Sequence, residues 1–253
     1  MVLGARLKEL RLKKGFSLQN LADKVEASKA HIWDLETGRA KNPSMDLLVK
    51  LAKSLNTTVY DLVGEALPTD DEPMKVTRLD LDGTGSPSGL VAKILKAEPE
   101  LKPPIPIEKL ALQLDIGEIG ELATEGFEGG LLTDEVRSFG GILVKKGMQH
   151  QRRRFTIGHE LGHFLLPFHK PAKAGQFLCS RDDMRQWSAK ENDRAAQMEV
   201  QANQFSALML MPPPMLRKFI DRRRDPDLTQ VLGLHEEFEV SKEAAARSFA
   251  EYH

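Results

Sequence analysis

His159-Glu160-Leu161-Gly162-His163 sets two imidazoles four residues apart, with a carboxylate directly after the first. On an α-helix that spacing projects both histidines from one face, where they can grip one metal ion. Glu160 then lies within reach of a water on that ion and is fit to act as general base. The plain alternative is an amphipathic helix whose two histidines are solvated or sit in the core. A two-histidine site needs a third protein ligand. In the run 198–212, Val200, Phe205, Leu208 and Met211 recur at helix-like intervals, and prolines at 212–214 stop the pattern. Glu199 and Asn203 fall four apart on one face of that helix. Glu199 is read as the third ligand, with Glu191 and Asp193 as nearby alternatives. Asn203 is read as a partner that hydrogen-bonds a ligand and fixes its orientation. Such a donor set suits one divalent ion: zinc first, with manganese or iron able to occupy similar sites.

The elements that must position these residues divide the chain into residues 1–63, a linker over 64–89 and a second domain over 90–253. In the second domain, residues 106–114 suit a helix. Segments around Ile116–Ile119, Phe127–Leu132 and Gly141–Val144 suit strands, which makes the class α+β. Sheet edges of this kind can hold an extended peptide by strand addition. Arg152-Arg153-Arg154 reads as a basic turn before the histidine helix, either solvated or touching acidic substrate. His169, His235 and Tyr252 are each candidates for polarising a scissile carbonyl. The linker is rich in turn formers, with Gly64, Pro68, Asp70-Asp71-Glu72-Pro73 and 83–89 (Gly-Thr-Gly-Ser-Pro-Ser-Gly). Within it Val76, Leu79 and Leu81 suit a short strand or docked arm.

Residues 1–63 read as short helices joined by tight turns. Leu3, Leu7 and Leu10 form one stripe closed by Gly15; Ser17 caps a helix carrying Leu18, Leu21 and Ala22. Ser28 caps a third through Ile32 and Leu35, with Gly38 just beyond. Pro43-Ser44 opens a fourth with Leu47, Leu48, Leu51, Ala52 and Leu55, and Val59, Leu62 and Val63 belong to a fifth. These residues resemble the Xre/Cro-type helix-turn-helix domain, and the resemblance implies that the third helix enters the major groove of DNA. Lys29, His31, Trp33, Arg39, Lys41 and Asn42 are the candidate contacts, Lys29 and His31 as donors to phosphates or base edges. Leu18 and Asp34 run against this: the domain it resembles often has a polar, groove-facing residue at the first position and commonly a basic one at the second, and a carboxylate near phosphates is repelled unless it accepts from a cytosine amino group. Trp33 equally suits a protein contact.

Composition bounds the rest. With 41% hydrophobic and 29% charged residues and a net charge of −1, the chain carries no global signal for polyanion binding. Residues 1–63 hold 11 Lys/Arg against 7 Asp/Glu, so a head of four surplus positive charges joins a body of five surplus negative ones. The single cysteine, Cys179, excludes an intramolecular disulfide and suits a reducing cytoplasm. Its plain reading is a small, partly buried residue; its sharper one is a cap on the metal in a latent state. No apolar run approaches membrane-spanning length, so a cytoplasmic protein with no membrane partner is expected.

Two resemblances add to these readings. Ser17 to Ala22, Ser28-Lys29-Ala30-His31-Ile32 with Leu35-Glu36-Thr37-Gly38, and Leu51-Ala52-Lys53-Ser54-Leu55 resemble the Xre/Cro-type helix-turn-helix domain. The run 154–163, Arg-Phe-Thr-Ile-Gly-His-Glu-Leu-Gly-His, is followed by a Glu-x-x-Ala-Asn-x-Phe helix ending in Leu-Met-Pro. Together with Pro103-Pro104-Ile105-Pro106 through Leu114 and Asp115-Ile116-Gly117, it is similar to the ImmA/IrrE family of metallopeptidases, over residues 90–253. One departure is Gln201, where many members carry a glutamate directly before the Ala-Asn pair. The resemblance implies a zincin-like α+β fold and a metal-dependent endopeptidase. Its substrate would be a repressor or another regulatory protein, and double-stranded DNA a possible partner of the head. The competing class is a transcriptional regulator whose metal site is a sensor or an inactive relic.

Overall fold

Leucine stripes and serine caps at the N-terminus produce four helices, α1 (Leu3–Lys13), α2 (Leu18–Lys24), α3 (Lys29–Thr37) and α4 (Met45–Leu55). The computed structural model describes residues 3–40, 43–57, 62, 74–123, 126–134, 137–170, 176–220 and 225–253. Val59, Val63, Gly64, Pro68 and 70–73 lie outside the described residues, as do Lys41 and Asn42. Ser17, Ser28 and Ser44 accept from the backbone N–H groups of Asn20, His31 and Leu47. Each such cap stabilises its helix by about 1 kcal/mol. Gly38 ends α3 in the left-handed region, its N–H donating to the Leu35 carbonyl. Leu7, Leu21, Ile32, Leu35, Leu48, Leu51, Leu55 and Leu62 close over one core, which continues into Leu122 and Leu143 of the sheet and into Phe127, just before its second strand.

One buried ion pair ties α1 to α3. Arg11 Nε and Nη2 donate to the two Glu36 carboxylate oxygens at 2.5 and 2.8 Å, and Nη1 donates to the Phe16 carbonyl at 2.8 Å. Neither side chain is more than 8% exposed, so each partner depends on the other for its lost hydration.

The remainder runs α5 (Arg78–Leu81), α6 (Pro87–Ala97), α7 (Ile107–Gln113), β1 (Ile116–Leu122), β2 (Gly129–Thr133) and β3 (Gly140–Lys145). It continues with α8 (His150–Leu165), β4 (Gln176–Cys179), a 3-10 turn (Asp183–Arg185), α9 (Arg194–Leu210), α10 (Pro213–Phe219), α11 (Leu228–Glu237) and α12 (Lys242–Tyr252). The sheet order is β1-β3-β2-β4, with β1 parallel to β3 and the other pairs antiparallel. This is a mixed sheet beside helices, an α+β unit. Helix α8 packs on one side against β2 and β3 and on the other against α9, so it is enclosed along most of its length. No helix among the described residues is long and apolar enough to cross a membrane.

Three segments differ, wholly or in part, from the sequence expectation. Of the short strand or docked arm expected at Val76, Leu79 and Leu81, no strand forms: Leu81 lies in a single helical turn, and it and Val76 dock on the main core while Leu79 is exposed. Ser86-Pro87-Ser88-Gly89 is the start of α6: Ser86 accepts from the Gly89 N–H, and proline at the first helical position needs no donor. Arg152, Arg153 and Arg154 lie within the first turns of α8, not in a turn before it. Arg152 pairs with Glu128 at 3.2 Å, Arg153 with Glu108, and Arg154 with Glu239 at 3.8 Å. Those carboxylates offset cations placed at the positive end of a helix dipole.

Replacing Glu36 by Gln leaves Arg11 buried without its counter-charge. The expected loss is about 3–5 kcal/mol from the N-terminal unit. Chemical denaturation followed through Trp33 in a Trp187→Phe background measures it; an unmoved midpoint would show that the pair is not structural.

Candidate metal centre

Small residues set the distance between the two helices that matter. A Cβ on Gly158 of α8 would meet Ser206 Oγ of α9 at 2.6 Å, and one on Gly162 would meet Ala202 Cα at 3.2 Å. Both pairs are four residues apart on their own helix, so they form facing small strips. Ser206 Oγ also donates to the Phe155 carbonyl at 2.8 Å, stitching the helices at one end. The close approach lets one short glutamate on α9 reach both histidines on α8.

The structure brings together His159, His163 and Glu199. His159 Nε2 and His163 Nε2 lie 3.0 Å apart, and Glu199 Oε2 lies 3.2 and 3.5 Å from them. Both histidines are fully buried. Glu191 is exposed, and Asp193 accepts from the Ala196 N–H as the N-cap of α9.

Hydrogen bonds behind the histidines decide which nitrogens carry protons. Asn203 Nδ2 donates to the carbonyls of Asp183 and Gln186 at 3.0 and 2.8 Å, so its Oδ1 must face His159. That oxygen lies 2.8 Å from His159 Nδ1, which therefore holds the proton and leaves Nε2 a lone pair. A second relay serves His163. With Gln201 Oε1 accepting from His169 Nε2 at 3.0 Å, His169 Nδ1 is left to accept from His163 Nδ1 at 2.9 Å. His163 Nε2 is then also a lone pair. Burial lowers His163 to about 4 and His169 to about 3, so both rings are neutral at pH 7.

Two imidazole lone pairs and a carboxylate oxygen thus converge in an enclosed space, and Glu199 Oε2 has no hydrogen-bond donor there. Such an arrangement is repulsive without a cation, and two nitrogens with one carboxylate fit a divalent ion. Glu160 lies beside this set, fully buried, with neither carboxyl oxygen given a donor. Burial first, and the charge of Glu199 second, raise its carboxyl well above the usual range. A Cβ on Gly129 of β2 would fall 2.6 Å from Glu160 Oε1, so the strand makes room for this side chain. Cys179, the last residue of β4, completes a four-residue group whose ligand atoms all lie within 4.8 Å of one another.

Sequence reasoning did not find Arg137, whose guanidinium donates to the carbonyls of His163 at 3.1 Å, Leu166 at 2.7 Å and His169. It neutralises the negative end of α8 where that helix carries its second histidine. No local pattern marks a residue 26 positions from its partner. His169 is removed from the candidates for carbonyl polarisation, because both of its ring nitrogens are engaged. His235 donates from Nδ1 to the Val240 carbonyl at 2.5 Å, and Tyr252 lies under the Arg217 guanidinium at 5.8 Å. On the N-terminal unit, Ile32 and Leu35 point inward while Lys29, Ala30 and Trp33 of α3 are exposed and His31 is half-buried. Arg39 stacks its guanidinium over the Trp33 ring at 4.5 Å.

Comparison with known proteins gives two family matches. Residues 123–249, half of the chain, match the Peptidase_M78 model, described as an IrrE N-terminal-like domain, and residues 2–62 match a helix-turn-helix domain. The HTH-type transcriptional regulator SinR of Bacillus subtilis is 33% identical over 69 residues, 27% of this chain and 62% of that protein. The HTH-type transcriptional regulator DdrOP3 of Deinococcus deserti is 41% identical over 63 residues, 25% of this chain and 48% of that protein. The chain thus spans about three fifths and about half the length of these relatives. Among solved structures, SinR in complex with DNA is 35% identical, with 24% of this chain and 95% of that chain covered and a TM-score of 0.23. The SinR–SinI complex is 35% identical over 24% of this chain and 59% of that one, with a TM-score of 0.24.

Removing the amide that fixes His159 tests the hydrogen-bond argument. Asn203→Ala is expected to weaken metal binding about 10–100-fold without changing secondary structure. Competition against a chromophoric chelator reads this, and an unchanged affinity would show that Asn203 does not govern the ligand.

Proposed function

Because the chain belongs to the Peptidase_M78 family, we propose that it is a metal-dependent endopeptidase that cleaves a repressor or another regulatory protein. Zinc is the proposed ion, with manganese as the alternative, and His159, His163 and Glu199 as its ligands. The observation that carries this reading is Glu160: a carboxyl enclosed beside the donor set, with no hydrogen-bond donor of its own. A purely structural metal site has no need of such a group.

When bound, the cation supplies Lewis-acid polarisation of a peptide carbonyl and acidifies water at its open position. Glu160 takes the proton from the attacking water and returns it to the departing amide nitrogen. Burial, by raising its proton affinity, favours holding that proton between the two transfers. The relays through Asn203 and through His169 to Gln201 keep both ligand rings in their working tautomers. Strand β4 is at the edge of the sheet and ends at Cys179 beside His163. An extended substrate pairing along it would present its backbone to the site, with the half-exposed Leu178 facing a substrate side chain.

The N-terminal unit is proposed to bind double-stranded DNA through α3, bringing the peptidase to a DNA-bound regulator. Lys29 and the Trp33–Arg39 stack are the exposed groups that support this, and His31 is the half-buried one. Its relatives are named as transcriptional regulators, and one is described in complex with DNA.

Glu160→Gln is expected to retain metal and lose proteolysis by at least about 100-fold, the scale of a lost general base. N-terminal labelling of a host-cell lysate should show new protein ends with the wild type and none with the variant. Equal cleavage by both would sink the mechanism. Separately, Lys29→Ala should weaken DNA binding and lower its salt dependence by about one counterion. If wild-type binding has no salt slope, the head does not act on DNA.

A further inference from the structure

Cys179 belongs to the same cluster and has no part in that mechanism. Its side chain is 2% exposed, and Sγ lies 3.7 Å from His163 Nε2. With zinc bonds of about 2.0–2.1 Å to nitrogen and about 2.3 Å to sulfur, a tetrahedron has N···N edges of about 3.3 Å and N···S edges of about 3.6 Å. The measured separations are 3.0 Å between the two imidazoles and 3.7 Å from imidazole to sulfur. Glu199 Oε2 completes the same figure at 3.2 and 3.5 Å from the imidazoles. The sulfur therefore sits at a tetrahedral edge length from one ligand and within 4.8 Å of the other two ligand atoms. Glu160, buried and without a donor, lies beside the same set.

The backbone holds Cys179 there by modest means. It pairs with Gly129 of β2, and its carbonyl accepts from the Glu128 N–H at 3.0 Å. Strand β4 is four residues long and has a neighbour on one side only. Phe177 of the same strand stacks on the His163 ring at 4.6 Å, so the movement that frees the sulfur is one of the strand's last residue, beyond that contact.

We propose that Cys179 is a fourth, displaceable protein ligand whose thiolate closes the metal centre in the resting protein. On coordination a sulfur–metal bond forms and the thiol proton passes to solvent; on opening, water takes the vacated position and the sulfur regains a proton. Four protein ligands make a closed site and three an open one, so the resting protein is latent and movement of β4 exposes the chemistry. The proposal rests on the metal-centre reading above, but its primary readout needs no substrate.

The test is zinc-edge X-ray absorption on the full-length, zinc-loaded protein beside Cys179→Ala. The wild type should show one sulfur scatterer at about 2.3 Å. The variant should keep zinc and lose that scatterer. A wild-type spectrum with only nitrogen and oxygen neighbours overturns the proposal, as does sulfur that persists in the variant. If the variant does not fold, the cobalt-substituted wild type decides: a thiolate-to-cobalt charge-transfer band supports the ligand, and its absence overturns it. Turnover by Cys179→Ala should exceed that of the wild type, and a variant no faster overturns latency. A sulfur-free centre with Glu160-dependent proteolysis defeats this proposal alone. A sulfur-bound centre with no proteolysis in either protein supports the ligand and defeats the peptidase reading.

Discussion

Everything at the metal centre depends on how near α8 can come to α9. Gly158 and Gly162 face Ser206 and Ala202, and nothing larger fits between them. A helix separation set by such small strips lies at the short end of ordinary helix packing. At a wider separation, Glu199 would reach one imidazole or neither. The small residues are thus as much part of the site as the ligands, although none touches a reacting atom.

That packing has an energetic consequence. It buries three histidines, Glu160 and Asn203, with Glu199 partly buried beside them, where each lost hydrogen bond costs about 1–3 kcal/mol. The protein meets this by chaining polar groups outward, from His159 through Asn203 to the carbonyls of the 3-10 turn, and from His163 through His169 to Gln201. What stays unmet is confined to Glu160 and Glu199 Oε2, together with a few groups away from the centre. The unmet groups at the centre are the ones that a cation and a water would serve. Arg137 adds the remaining positive charge at the end of α8, from outside the coordination space.

The sequence made the local part of this legible. His159, Glu160 and His163 lie within one helical turn, and Glu199 with Asn203 within another, so a period of 3.6 residues was enough to align them. The helical head was equally readable, because Ser17, Ser28 and Gly38 are caps whose meaning is local. Tertiary placement was not readable. Arg137 and Gln201 find their partners only when distant segments meet, and β4, which carries Cys179, is too short to show a strand period. Arg152–Arg154 misled for a related reason: their partners Glu128, Glu108 and Glu239 lie on other elements. Ser86-Pro87 misled because the same dipeptide opens helices and makes turns.

Gln201 shows what a single departure from a family pattern can mean physically. The position calls for an acceptor to His169 Nε2, and either an amide or a carboxylate would supply one. A carboxylate would also add a negative charge to a site that already encloses Glu160 and Glu199. In a low-dielectric interior that charge would draw a proton onto His169 and turn its Nδ1 into a donor. The neutral amide accepts from His169 Nε2, which leaves His169 Nδ1 to accept from His163 and the His163 Nε2 lone pair facing the proposed metal position. Gln201 therefore preserves the metal-binding form of a residue that it does not touch.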